Sequence, residues 1–123
     1  MPLGHEKLVA WQRADDLFVA IHRLATAFPP EERYELASQI RRAAYSVPAN
    51  IVEGMARRSL RERLRFLNIA EASLAEVSYC LHVSQRLGYV TPEAHDSFDR
   101  AVRQVGAPLT GLMRSMKKLP DWE

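Results

Sequence analysis

The chain of 123 residues holds a single cysteine, Cys80, so it forms no intramolecular disulfide and offers no cysteine cluster to zinc. A reducing, cytoplasmic compartment is the expectation. Glycine is scarce, five in all, and none gather into a phosphate-cradling loop. No apolar run approaches the ~18 residues of a bilayer span, and "MPLGHEKLVA" lacks a basic segment followed by an apolar stretch, so no membrane partner is expected. The residues three before His5, His22, His82 and His95 are Pro2, Val19, Tyr79 and Pro92, so the Glu-x-x-His pairs of a di-iron bundle are missing. H-E-x-x-H and nucleophile-elbow patterns are missing too. The polar candidates left over, Asp15 with His22 on the first helix and Glu71 on the core side of the third, read as satisfied structural groups. The expectation is a protein with no catalytic residue, metal or cofactor.

What is present is helical periodicity. A first helix, about 6–28, carries Trp11, Ala14, Phe18, Ile21, Ala25 and Phe28 at steps of three and four, widened by Leu17 and Leu24. "FPPEER" ends it, and Glu31 and Glu32 sit where the next helix dipole favours them. A second helix, about 34–54, aligns Leu36, Ile40, Ala43, Val47 and Ile51, with Arg41, Arg42 and Tyr45 directed outward. Ser59 and Glu62 form a capping box that opens a third helix, about 59–87, on Leu60, Leu64, Leu67, Leu74 and Leu81. Thr91 as N-cap and Pro92 at the first helical position open a fourth, about 92–118, with Phe98, Val102, Val105, Leu109, Leu112, Met116 and Leu119 on one side. Short connectors between such helices imply one domain, residues 1–123, folded as an all-α, antiparallel up-down-up-down four-helix bundle.

Two features go beyond a plain bundle. Pro48 lies inside the second helix and removes the bond its N–H would make to the Ala44 carbonyl. A kink is expected there, with Asn50 and Glu53 serving freed backbone groups and Gly54 ending the helix at positive φ. On the third helix Phe66, Ile69 and Val83 point away from the leucine stripe, which predicts burial against another subunit in a homo-oligomer.

Charge is unevenly placed. Residues 41–65 hold seven arginines against two glutamates, whereas the chain as a whole is only +2. Arg57, Arg58, Arg61, Arg63 and Arg65 surround the start of the third helix, where cations oppose the helix dipole and a bound anion would be favoured. Arg57, Arg58, Arg61 and Arg65, with Arg41 and Arg42 as secondary contacts, are therefore the candidate nucleic-acid ridge. No groove-reading motif or stacking run accompanies them, so contact with RNA or DNA would be through the backbone. The competing reading is an oligomeric adaptor whose ridge grips an acidic protein partner.

"SQIRRAAYSVPANIVEG", "RFLNIAEASLAEV" and "RLGYVTPE" resemble the bacterial 23S rRNA intervening-sequence protein family. The pattern Ser-x-Pro-x-Asn-Ile-x-Glu-Gly is matched by Ser46, Pro48, Asn50, Ile51, Glu53 and Gly54. The resemblance implies a ring-like homo-oligomer, a homopentameric barrel of four-helix bundles, with nucleic-acid binding as its usual proposed role. It also implies kinship with the accessory variability protein of diversity-generating retroelements, a basic pentamer that works with a reverse transcriptase. One departure is Ala72, where the family tends to have glycine.

Overall fold

The computed structural model describes residues 4–120. After a 3-10 turn over Gly4–Lys7 come four helices, α1 (Val9–Thr26), α2 (Leu36–Met55), α3 (Leu60–Arg86) and α4 (Pro92–Lys117), and the described residues contain no strand. α2 packs on α1 and α3, and α4 packs on α3 and α1, closing a square with no diagonal packing among the described residues. Partner numbers fall as chain numbers rise: Gln39 meets Glu76, Ser46 meets Ser73, and Gly54 meets Phe66. That is the antiparallel bundle expected from the periodicity.

The core lies along the shared axis, where Ile21, Ile40, Val47, Ile51, Leu67, Val77, Val105 and Leu109 are completely buried. Burial of this apolar surface is the main favourable term in folding. On α1 the buried stripe is Ala10, Ala14, Leu17, Ile21 and Ala25, one step round from the expected centre. Trp11 and Phe18 are left half-buried on its flank.

Several boundaries differ from expectation. α1 does not reach back to residue 6, because Leu8 is extended (φ −82°, ψ 126°) and its carbonyl accepts from the Gln12 N–H. It ends at Thr26 rather than 28, since the residue before Pro29 is driven out of the helical region. α2 starts two residues late, after a 3-10 turn over Pro30–Glu32. A Glu32 carboxylate oxygen accepts from the Leu36 N–H at 3.3 Å, so this acid does serve the helix start. Leu119, expected on the α4 stripe, lies beyond the helix and is exposed.

The largest correction concerns Gly54 of α2. The helix runs through Pro48, which is buried on the α1 side beside Trp11 and Phe18, and on through Gly54 to Met55. Gly54 is not left-handed; among the described residues only Gly88 has positive φ, at 81°. Gly88 closes α3, where the Tyr89 N–H reaches the Ser84 carbonyl at 2.9 Å. Gly54 answers a different need. A Cβ there would lie 3.1 Å from Phe66 Cβ and 3.2 Å from the Arg63 carbonyl oxygen, so the missing side chain lets α2 and α3 approach closely.

Candidate nucleic-acid interface

Within the Ser-x-Pro-x-Asn-Ile-x-Glu-Gly segment, Ser46, Asn50 and Gly54 build the α2–α3 contact. Asn50 Nδ2 donates to the Ser46 carbonyl at 2.7 Å and to Ser46 Oγ at 2.9 Å. Ser73 Oγ on α3 donates to the same Ser46 hydroxyl at 2.8 Å, so one polar chain ties the two helices beside their apolar seam. Glu53 faces outward and pairs with Arg57 at 2.8 Å.

This tight junction sets where the arginines stand. α2 ends at Met55 and α3 begins at Leu60, with Ser59 Oγ accepting from the Glu62 N–H at 3.2 Å, so the connector is four residues long. Within it, Arg57 pairs with Glu53 and lays its guanidinium over the Phe66 ring, 4.8 Å from the centroid. Arg63 Nε donates to the Arg57 carbonyl at 2.7 Å and so anchors the turn. Arg65 pairs with Glu62 at 3.4 Å and lies 5.7 Å from the Phe66 centroid. Arg58 and Arg61 are exposed, with no ion pair or hydrogen bond to any described residue. Arg57 and Arg65 thus have acidic neighbours, while Arg58 and Arg61 carry their charge freely into solvent.

Arg41 and Arg42 do not join this cluster. Arg41 is turned inward instead of outward: its Nη2 donates to the His22 carbonyl and to Thr26 Oγ1, at 3.2 and 3.0 Å, satisfying the end of α1. Arg42 donates to Gln39 Oε1 at 3.2 Å, level with Glu76 of α3. At 1.5 Å per residue that is roughly 16 Å along α3 from Arg65.

The proposed interface residues do not form one patch. Phe66 is occupied within the chain by Gly54 and the two guanidinium groups. Ile69 is 39% exposed, and Val83, half-buried, lines the α2–α3 groove with Leu36 and Leu87. Another apolar groove lies between α1 and α2, where Trp11, Phe18, Pro48 and Val52 sit beside the exposed ring of Tyr45.

A second group of cations is invisible to sequence periodicity. Arg114 and Lys117, in the last turn of α4, line a groove with Asn68, Glu71, Thr110 and Met113. Asn68 also lines the adjoining surface formed by Arg61, Glu62, Leu64, Arg65 and Ile69. The register carries the signal, because Leu74 meets Gly106 and Glu71 meets Thr110, which sets the start of α3 beside the end of α4.

The leftover polar candidates are scattered. Asp15 lines the α1–α2 groove, and His22 is exposed against Phe18. Glu71 is exposed rather than core-facing, since the buried α3 stripe of Leu67, Ala70, Leu74 and Val77 leaves residue 71 about 100° off Ala70; it accepts from Thr110 Oγ1 at 3.3 Å. Cys80 is buried, and burial together with the Glu76 charge pushes its thiol up to about 11, which keeps it protonated and unreactive. No helix among the described residues is long and apolar enough to cross a membrane.

The fold and sequence can be set beside known proteins. A protein of unknown function from the S23 ribosomal protein family of Bacteroides thetaiotaomicron VPI-5482 has a crystal structure similar to this one, with a TM-score of 0.81 and 25% identity, covering 86% of this chain and 96% of that one. No curated protein matches the sequence. Residues 6–111 match the model of the 23S rRNA-intervening sequence protein family, a span that includes the four helices up to the last turns of α4. The chain belongs to the 23S rRNA-intervening sequence protein family.

Proposed function

We propose that the chain is a non-enzymatic, cytoplasmic, oligomeric bundle that binds the backbone of RNA or DNA through the arginines at the α2–α3 junction. The observation that supports this most is the free charge of Arg58 and Arg61 at the start of α3. Cations at a helix N-terminus oppose the dipole, each typically costing some tenths of a kcal/mol, and neither side chain recovers that through a partner in its own chain. A phosphate would satisfy both the side chains and the local field.

Self-association is the second part of the reading, and the exposed apolar side chains Ile69 and Tyr79 on α3, Leu87 just past its end and Tyr45 on α2 support it. The pentameric count rests on the resemblance alone. Light scattering should give a mass several times the 14.0 kDa of one chain. A monomer would remove this part and leave the basic junction to be tested by itself.

Binding is tested by changing Arg57, Arg58, Arg61 and Arg65 together to Gln. Affinity for unrelated sequences should fall about equally, and the slope of log K against log salt should flatten by roughly 0.7 to 0.9 for each phosphate no longer neutralised. An unchanged affinity, or retention of a protein partner after nuclease treatment, would favour the acidic-partner adaptor.

A further inference from the structure

We infer that the binding surface is a track across the α3–α4 groove, from Arg61 and Arg65 past Asn68 to Arg114 and Lys117, shaped for a single-stranded phosphodiester backbone. This rests on the nucleic-acid reading above and specifies its path and its ligand. Arg61 and Arg65 are one turn apart on α3, and Arg114 and Lys117 one turn apart on α4; Asn68 lines both the α3 surface that holds the first pair and the α3–α4 groove that holds the second, so the two stretches adjoin. Its apolar positions are Leu64, Ile69 and Met113.

The electrostatics favour this route over one along α2. Arg114 and Lys117 are already favoured in the last turn of α4 by the helix dipole, but both are exposed and neither has a hydrogen bond or ion pair to any described residue, which leaves the guanidinium and the ammonium open to a phosphate. Arg41 and Arg42, by contrast, are held by α1 and by Gln39. The cations follow one narrow line, two on α3 and two on α4 with Asn68 between them, a path that a single phosphodiester strand can track. No aromatic side chain lines the track to stack a base, so the grip is on phosphate and indifferent to sequence.

Two carboxylates oppose the ligand: Glu62, already paired with Arg65 at 3.4 Å, and Glu71. The exposed Glu71 carboxylate sits in the same groove as Arg114 and Lys117, held by Thr110. It should weaken phosphate binding by like-charge repulsion, and its removal is a sensitive probe of the path.

The test uses the full chain with a short fluorescent oligouridylate and a duplex of equal length. Changing Arg114 and Lys117 together to Gln should weaken binding of the single strand roughly tenfold or more near 0.1 M salt and flatten its salt slope by about 1.4. Glu71→Gln should tighten binding severalfold, while Arg42→Gln, a change of one unit of charge away from the track, should leave it within about twofold. If the wild type binds and Arg58→Gln/Arg61→Gln weakens it while Arg114→Gln/Lys117→Gln does not, the track is overturned and the junction reading stands. Tighter binding of the duplex than of the single strand also overturns it. No binding by the wild type overturns both.

Discussion

The two ends of the bundle use charge in opposite ways. At the end where α1 passes to α2 and α3 to α4, acids are absorbed by structure: Glu32 accepts from the Leu36 N–H with one oxygen and from the Tyr89 hydroxyl, at 2.7 Å, with the other. Glu93 stands in the first turn of α4, where Thr91 Oγ1 accepts from the Ala94 N–H at 3.1 Å. At the other end Arg58 and Arg61 stand at the start of α3 against its dipole, with no partner among the described residues. Charge that stabilises a helix terminus explains itself, whereas charge placed against one points to something outside the chain.

The comparison can be strained hardest at the helix junction that carries the arginines. Gly54→Val should lower unfolding stability by about 1–3 kcal/mol, because the new side chain meets Phe66 and the Arg63 backbone. An unchanged urea midpoint would show that α2 and α3 do not need that close approach. At the acidic end, Tyr89→Phe and Thr91→Ala should each cost about 1 kcal/mol, read from the same denaturation curves, by deleting one hydrogen bond and one cap.

Alkaline pH sharpens the contrast. The Glu32 carboxylate that accepts the Tyr89 hydroxyl, together with burial, raises the phenol above its usual 10.0, and burial raises Cys80 from 9.0 to about 11. Both groups stay protonated in the fold at pH values where the unfolded chain has lost those protons, so their contribution is complete below pH 9 and declines as pH rises from 9 through 11. The melting temperature should fall across that window, and Cys80→Ala should flatten the fall; an equal fall without the thiol would contradict the assignment. The smallest effect is expected at the basic end, where changing Arg58 and Arg61 to Gln should shift stability by less than about 0.5 kcal/mol, in the stabilising direction. A loss as large as that of Thr91→Ala would mean the two arginines are structural after all.

The four helices are legible in the sequence because each carries its own period and two carry their own caps, Ser59 and Gly88 on α3 and Thr91 on α4. Gly54 is ambiguous there, since a glycine near a helix end suits either a left-handed cap or a close crossing, and only the partner helix decides. Phe66 is ambiguous for the same reason: its outward position on α3 is covered by Gly54 and the Arg57 side chain. Half of the candidate ridge is visible as a dense run of arginines. Arg114 and Lys117 are about 50 residues further on and join it only through the α3–α4 register.

The central claim is that position, not total charge, makes the basic end a nucleic-acid surface. The most direct measurement compares two variants with the same loss of charge: Arg57, Arg58, Arg61 and Arg65 all changed to Gln, and Arg23, Arg33, Arg86 and Arg100, toward the acidic end and exposed, all changed to Gln. Binding of a short single-stranded RNA across a salt series should be lost or strongly weakened, with a flattened slope, in the first and retained in the second. Equal weakening in both, or undiminished binding in the first, would contradict the account.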